Sequence, residues 1–198
     1  MEMKISMKSL NDFLELMDHE FGEIGIELGV YGLKVDGDNN GLKQHCNLNK
    51  LKSVDYIYKE NNKFPLIEFS DIYRQQNAIL AEIDQLKSCD LSRSLRTDLV
   101  KERHKKILSE LVQKFKDTLT IISKLHNHIS DIPENLQNQS QEYRIVYAPF
   151  HPEIAEDKKQ DLVRFLDRLK DNITTAIPNE MCERVRVIHI ANFLTCNS

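Results

Sequence analysis

The apolar run Leu95, Leu99, Ile107, Leu111, Phe115, Leu119, Ile122 and Leu125 constrains this chain more than any other feature. These residues recur mostly every three or four positions, the spacing of one face of an α-helix. A continuous helix from Ser94 to Ile129 would span about 54 Å at about 1.5 Å per residue. A chain of 198 residues suits one domain, and a domain of that size cannot cover such a helix along its whole length. Ile72, Ile79, Ile83 and Leu86 form a shorter stripe just before it, ending near Ser88-Cys89-Asp90. The pair reads as an antiparallel helical hairpin over residues 71–129, protruding from a single domain 1–198. The other face of the longer helix carries Lys101, Glu102, Arg103, Lys105 and Lys106 and reads as solvated.

On either side of this hairpin the period falls to two. Val54, Tyr56 and Tyr58 alternate with Asp55, Ile57 and Lys59, a polar turn follows at Glu60-Asn61-Asn62, and Pro65 to Phe69 reads as a second, more buried strand. Tyr143–Ala148 is a strand stopped by Pro149. Leu162, Phe165, Leu166, Leu169, Ile173 and Ile177 then mark an amphipathic helix, and Val185–Ile190 the last strand. Strand, helix and strand in succession predict a crossover onto a shared sheet. The fold class is therefore α/β (α+β), a small central mixed sheet flanked by helices. Nearer the N-terminus, Ser9-Leu10-Asn11-Asp12 is a capping-box pattern. Leu10, Phe13, Leu14, Met17 and Phe21 follow it at helical spacing, which predicts a helix from Leu10 to Phe21. All six glycines fall between Gly22 and Gly41, marking turns around a short strand over Ile24–Val30.

Several function classes are disfavoured. Hydrophobic residues make up 40% and the net charge is −4, so no broad basic surface is expected. No apolar run approaches membrane-spanning length, and Met1–Met7 is too short and polar for a signal peptide. The four cysteines are scattered without a C-x-x-C pair, which argues against zinc and fits reduced thiols in a cytoplasm. The glycine-rich stretch lacks the Gly-Lys-Ser/Thr of a phosphate-binding loop. Asp36-x-Asp38-x-Asn40-Gly41 copies the start of a calcium loop, but its twelfth position is Asn47, so it reads as a polar turn. His126 and His128 would point to different sides of a helix. His151 follows a strand end with no visible partner, and no Ser or Cys nucleophile has a recognisable context.

One arrangement carries chemistry. Asp55 and Glu68 put a carboxylate on each of two paired strands, able to face one hard cation such as Mg²⁺, which takes oxygen ligands and keeps several waters. Val54-Asp55-Tyr56-Ile57, a short turn, then Leu66-Ile67-Glu68-Phe69-Ser70-Asp71 resembles the core of the PD-(D/E)xK nuclease superfamily. Ala81-x-x-x-Gln85-Leu86 is similar to the helix behind such sites. The resemblance implies Mg²⁺-dependent hydrolysis of DNA or RNA phosphodiesters, with Asp55 and Glu68 as metal ligands and catalytic residues. It also implies a further acidic ligand on the preceding helix, Glu20 or Glu15. Ser70 stands where the family has lysine, so the nearby Lys59, or Lys63, is expected to supply the cation. The alternative is a non-catalytic subunit of a nucleic-acid or defence assembly, docking a protein partner or a second copy through the helical hairpin.

Overall fold

The computed structural model describes residues 7–19, 21, 25–37, 40–138, 140–150 and 153–196. One six-stranded mixed sheet runs in chain order, β1-β2-β3-β4-β5-β6. Its strands are β1 (Leu14–Leu16), β2 (Tyr31–Lys34), β3 (Tyr56–Ile57), β4 (Leu66–Ser70), β5 (Gln141–Tyr147) and β6 (Cys182–His189). The first four pair antiparallel, and β4, β5 and β6 pair parallel. Parallel neighbours need long crossovers. Here they are the helical hairpin α2 (Ile72–Ser88) and α3 (Arg93–Lys124) between β4 and β5, and α5 (Glu156–Ala176) between β5 and β6. Short helices α1 (Leu42–His45), α4 (Glu134–Asn138) and α6 (Ile190–Cys196) complete the fold.

Side chains on successive strand residues go to opposite faces, and the apolar ones divide accordingly. Leu33, Ile57, Leu66, Tyr143, Ile145 and Val185 join the core that α2, α3 and α5 cover. Tyr56, Ile67 and Val146 join a second cluster with Met17, Phe21, Leu28 and the α6 residues Ile190 and Phe193. Glu142 is buried on β5, where Arg144, Arg184 and Arg186 ring it, and Arg144 also binds Glu60 at the β3–β4 turn.

The helical hairpin protrudes as its length requires. Asp71 caps α2 by accepting from Arg74 N (3.0 Å), and Ser92 caps α3 by accepting from Leu95 N (3.4 Å). No residue of α3 before Ile107, and none of α2 after Ile83, is buried. From Ile107 onward Leu111, Phe115, Thr118, Ile121 and Ile122 are buried. The helix stops at Lys124 and passes into a 3-10 turn, Leu125–Asn127, short of Ile129.

Two N-terminal expectations fail. The capping box forms, but it opens only a 3-10 turn, Leu10–Phe13, held by Asp131, whose carboxylate accepts from Leu10 N and Ser9 Oγ (both 2.7 Å). The chain then becomes β1, because pairing with β2 satisfies its backbone where a helix would leave that sheet edge bare. The apparent helical spacing arises because Phe13 enters one core while Met17 and Phe21 enter the other. The expected strand over 24–30 is not one at the described residues 25–30: Gly29, at φ +62°, breaks the extended run, and the strand begins at Tyr31. Gly32 then lets β2 pass under Met17, whose Cε would lie 2.4 Å from an added Cβ. Ile24, Asp38 and His151 lie outside the described residues. No helix among the described residues is long and apolar enough to cross a membrane.

The two halves of α3 should differ sharply in energetic weight. Phe115 is fully buried against Tyr143, ring centroids 5.1 Å apart, so Phe115→Ala is expected to cost about 3–5 kcal/mol. The exposed Leu95 should tolerate Leu95→Ala within about 0.5 kcal/mol. Urea unfolding of both variants checks this, and equal losses would contradict the division.

Candidate active site

Tyr56 pairs with Ile67 across β3 and β4, so one step outward Asp55 comes beside Glu68. Leu66 and Ile57 lie in the α3-covered core, and the period of two puts Glu68 and Asp55 on that same face. Two backbone contacts fix Asp55: its N–H donates to Ile67 O (3.1 Å) and its carbonyl accepts from Val35 N (2.9 Å). Its carboxylate Oδ2 accepts from Phe69 N at 2.7 Å, a charge-assisted bond that orients the side chain.

A third group arrives from α3. Lys114 Nζ donates to Glu68 Oε1 at 2.6 Å. Lys114 is held there because its neighbour Phe115 is buried and because α3 grips the strand leading to Asp55. Thr118 Oγ1 accepts from Val54 N (3.0 Å), and Asp117 Oδ2 accepts from Lys52 N (3.0 Å). Glu68 is 3% exposed, and its second oxygen, Oε2, is buried with no hydrogen-bond partner among the described residues. All three side chains line a cavity of about 840 Å³ at the sheet end where β2 and β4 finish and β3 begins.

The electrostatics are set by burial. Burial, then the charge of Asp55, pushes the Glu68 carboxyl well above the ordinary carboxylate range, and Lys114 only partly opposes this. For Lys114, burial works against the charged form. Glu68 and Asp55 outweigh it and hold the ammonium charged above its usual range.

Of the residues expected at a site, Asp55 and Glu68 meet at this cavity. Lys59 does not: it is exposed just beyond β3 and is not part of the cavity wall. Lys63 pairs with Glu183 at 2.6 Å, far along the chain. Ser70 is buried and accepts from Gln75 Nε2 (3.2 Å). The lysine that reaches Glu68 therefore comes from α3, a position the sequence reading passed over. Its signal was present: Lys114 sits three residues after Leu111 and four before Thr118, on the buried side of the stripe. Glu15 is not in the cavity wall but is held by Lys34 (2.7 Å) and the Tyr56 hydroxyl (3.1 Å), which are, and Glu20 lies outside the described residues. Asp36, in the calcium-like turn, is bound by Lys43 at 2.5 Å. Burial would raise its pKa, but Lys43 and Gln44 bring it below the usual range.

Among the described residues no group of three or more His, Cys, Asp or Glu converges on one point. The adjacent Asp55 and Glu68 offer two oxygen donors, which suits a hard divalent ion that keeps most of its waters, and Glu68 Oε2 has no hydrogen-bond partner among the described residues. Comparison with family models, curated proteins and solved structures finds no match to this chain.

A raised Glu68 pKa means that the folded state holds this proton more tightly than the unfolded chain. The contribution of Glu68 to stability is full below the ordinary carboxyl range and is lost as pH rises through the raised value. Lys114 stays charged across that window and adds no slope. Urea midpoints measured from about pH 4 to about pH 8 should show wild type losing ground to Glu68→Gln as pH rises; parallel curves would contradict it.

Proposed function

We propose that this protein hydrolyses phosphodiester bonds of DNA or RNA with a divalent cation, Mg²⁺ in the first instance, held by Asp55 and Glu68. The observation that carries the reading is a buried acid, Glu68, one of whose oxygens, Oε2, has no hydrogen-bond partner among the described residues, in the wall of a polar cavity that Asp55 and Lys114 also line. An unpartnered buried polar atom beside a second carboxylate is costly, and a bound cation removes the cost. When bound, such an ion polarises the phosphoryl group and lowers the pKa of a coordinated water.

The chain's own groups do the rest. Asp55, fixed by Phe69 N–H, and Glu68, fixed by Lys114, present their oxygens from one face of the hairpin. Lys114 remains cationic, so its role is to stabilise negative charge developing on the phosphate. It stands in for the lysine that Ser70 replaces. Arg74, exposed on the first turn of α2 at the cavity rim, has no ion-pair partner among the described residues and serves a neighbouring phosphate. The free thiols of Cys46, Cys89 and Cys182 support a reducing, cytoplasmic setting.

The exposed end of the helical hairpin favours a second, compatible role in docking a protein partner or a second copy. Leu95 is 48% exposed there. Light scattering giving only the 23.1 kDa monomer, with nothing co-purifying, would remove that role.

Cleavage of end-labelled DNA and RNA in Mg²⁺ or Mn²⁺ tests the hydrolytic reading. Asp55→Asn, Glu68→Gln and Lys114→Met should each lower the rate about a hundredfold or more. Lys59→Ala should leave it unchanged; loss of activity there with full activity in Lys114→Met would reverse the assignment. Mg²⁺ at about a hundred times its Kd should stabilise the wild type by about 2.7 kcal/mol. A thermal shift that persists in the Asp55→Asn, Glu68→Gln double variant would place the ion elsewhere.

A further inference from the structure

The cavity does not stop at the carboxylates. It wraps around the end of the sheet, so that its other wall belongs to the opposite face and is aromatic. Phe69 follows Glu68 in β4 and points to the far side. It meets Phe21, Tyr56 and Phe193 edge-on, at centroid distances of 6.0, 6.2 and 5.8 Å. His19 joins the same wall, stacked on Phe21 at 4.7 Å with 23° between the planes. Edge contacts from three directions fix the plane of Phe69, which is still partly exposed.

The bonding of His19 tells what it offers. Nδ1 accepts from Phe21 N (3.3 Å), so the ring proton is on Nε2, which donates to Ile26 O (2.9 Å). Both nitrogens are engaged within the protein. The half-buried ring lines the cavity, with one of its faces stacked on Phe21.

We infer that this wall is a base-stacking platform and that the substrate is single-stranded nucleic acid, with one base seated against Phe69 and His19 while its phosphate lies at Asp55, Glu68 and Lys114. The inference rests on the hydrolytic reading for that phosphate. A volume of about 840 Å³ has the scale of a small-ligand pocket, room for a nucleotide or two but not for a paired duplex. A base can enter it only after leaving its partner, which duplex substrates resist and single strands do not. Stacking on aromatic rings tolerates any base, so the platform selects for strandedness, not sequence. Arg74 at the rim then receives a flanking phosphate of the same strand.

The test separates binding from cleavage. Fluorescence anisotropy with a labelled mixed-sequence single strand, as DNA and as RNA, and with the corresponding duplex, is run on the full chain without divalent ion. At least one single strand should bind about tenfold or more tighter than its duplex, and with Mg²⁺ or Mn²⁺ should be cleaved with a matching preference. Phe69→Leu, which keeps an apolar group in the cluster, should weaken single-strand binding about tenfold. His19→Phe should retain the preference, because the ring survives, whereas His19→Leu should lose it. Equal loss in both His19 variants would show that its hydrogen bonds, not its face, matter, and would overturn its part in the platform. Duplex binding as tight as single-strand binding, or no single-strand binding, overturns the inference. Strand-selective binding with no cleavage of any substrate leaves the platform standing and removes the hydrolytic reading alone.

Discussion

Burial of the second half of α3 against β4 and β5 is the contact on which the molecule depends. A parallel β4–β5 pair requires a long excursion, and among the contacts that tie that excursion down Phe115 meets Tyr143 and the Tyr143 hydroxyl donates to Leu111 O at 3.2 Å. The same packing puts Lys114 over Glu68 and Thr118 against Val54. Core and candidate site are thus consequences of one helix face. Its residues alternate between filling the apolar core and gripping the polar edge of the hairpin.

Glu68 is placed against the usual preference of its type. It occupies a central strand with every other β4 residue buried or nearly so, where a carboxylate costs several kcal/mol unless it is compensated. Lys114 compensates one oxygen only. The contrast with Glu142 is instructive: that carboxylate is buried to the same extent, but three arginines surround it, and despite burial its pKa falls below the usual range. Glu142 is satisfied as a structural tie between strands, and Glu68 is not. Two acids of equally low exposure on adjacent strands therefore differ in how many donors each has among the described residues.

Much of this was legible in the sequence, for definite physical reasons. The helical hairpin, the β3–β4 pair and the later strand-helix-strand unit all have clear periodicities, which placed Asp55 and Glu68 on two paired strands, while the register that puts them on one side is seen only in the fold. Lys114 was not legible as a site residue because its partner lies 46 residues away. Nothing local distinguishes it from the solvated lysines of the same helix except its place on the buried stripe. β1 was misread because a chain crossing from one face of a sheet to the other mimics helical spacing over a dozen residues. Helices α4 and α6, five and seven residues long, are too short to imprint a period.

α3 is a single rod whose outer part is tied to α2 and the loop between them, through Arg96, Arg103 and Lys106, and whose inner part is clamped in the core. The clamp begins at Ile107. Arg93 lies fourteen residues outside it, about 21 Å, and Lys114 seven residues inside, about 10 Å. A displacement of the tip would therefore be geared down before it reached the ammonium, because the packed layers around Phe115 lie between. The outer arm can yield to whatever it touches while the charge at the inner end keeps its station.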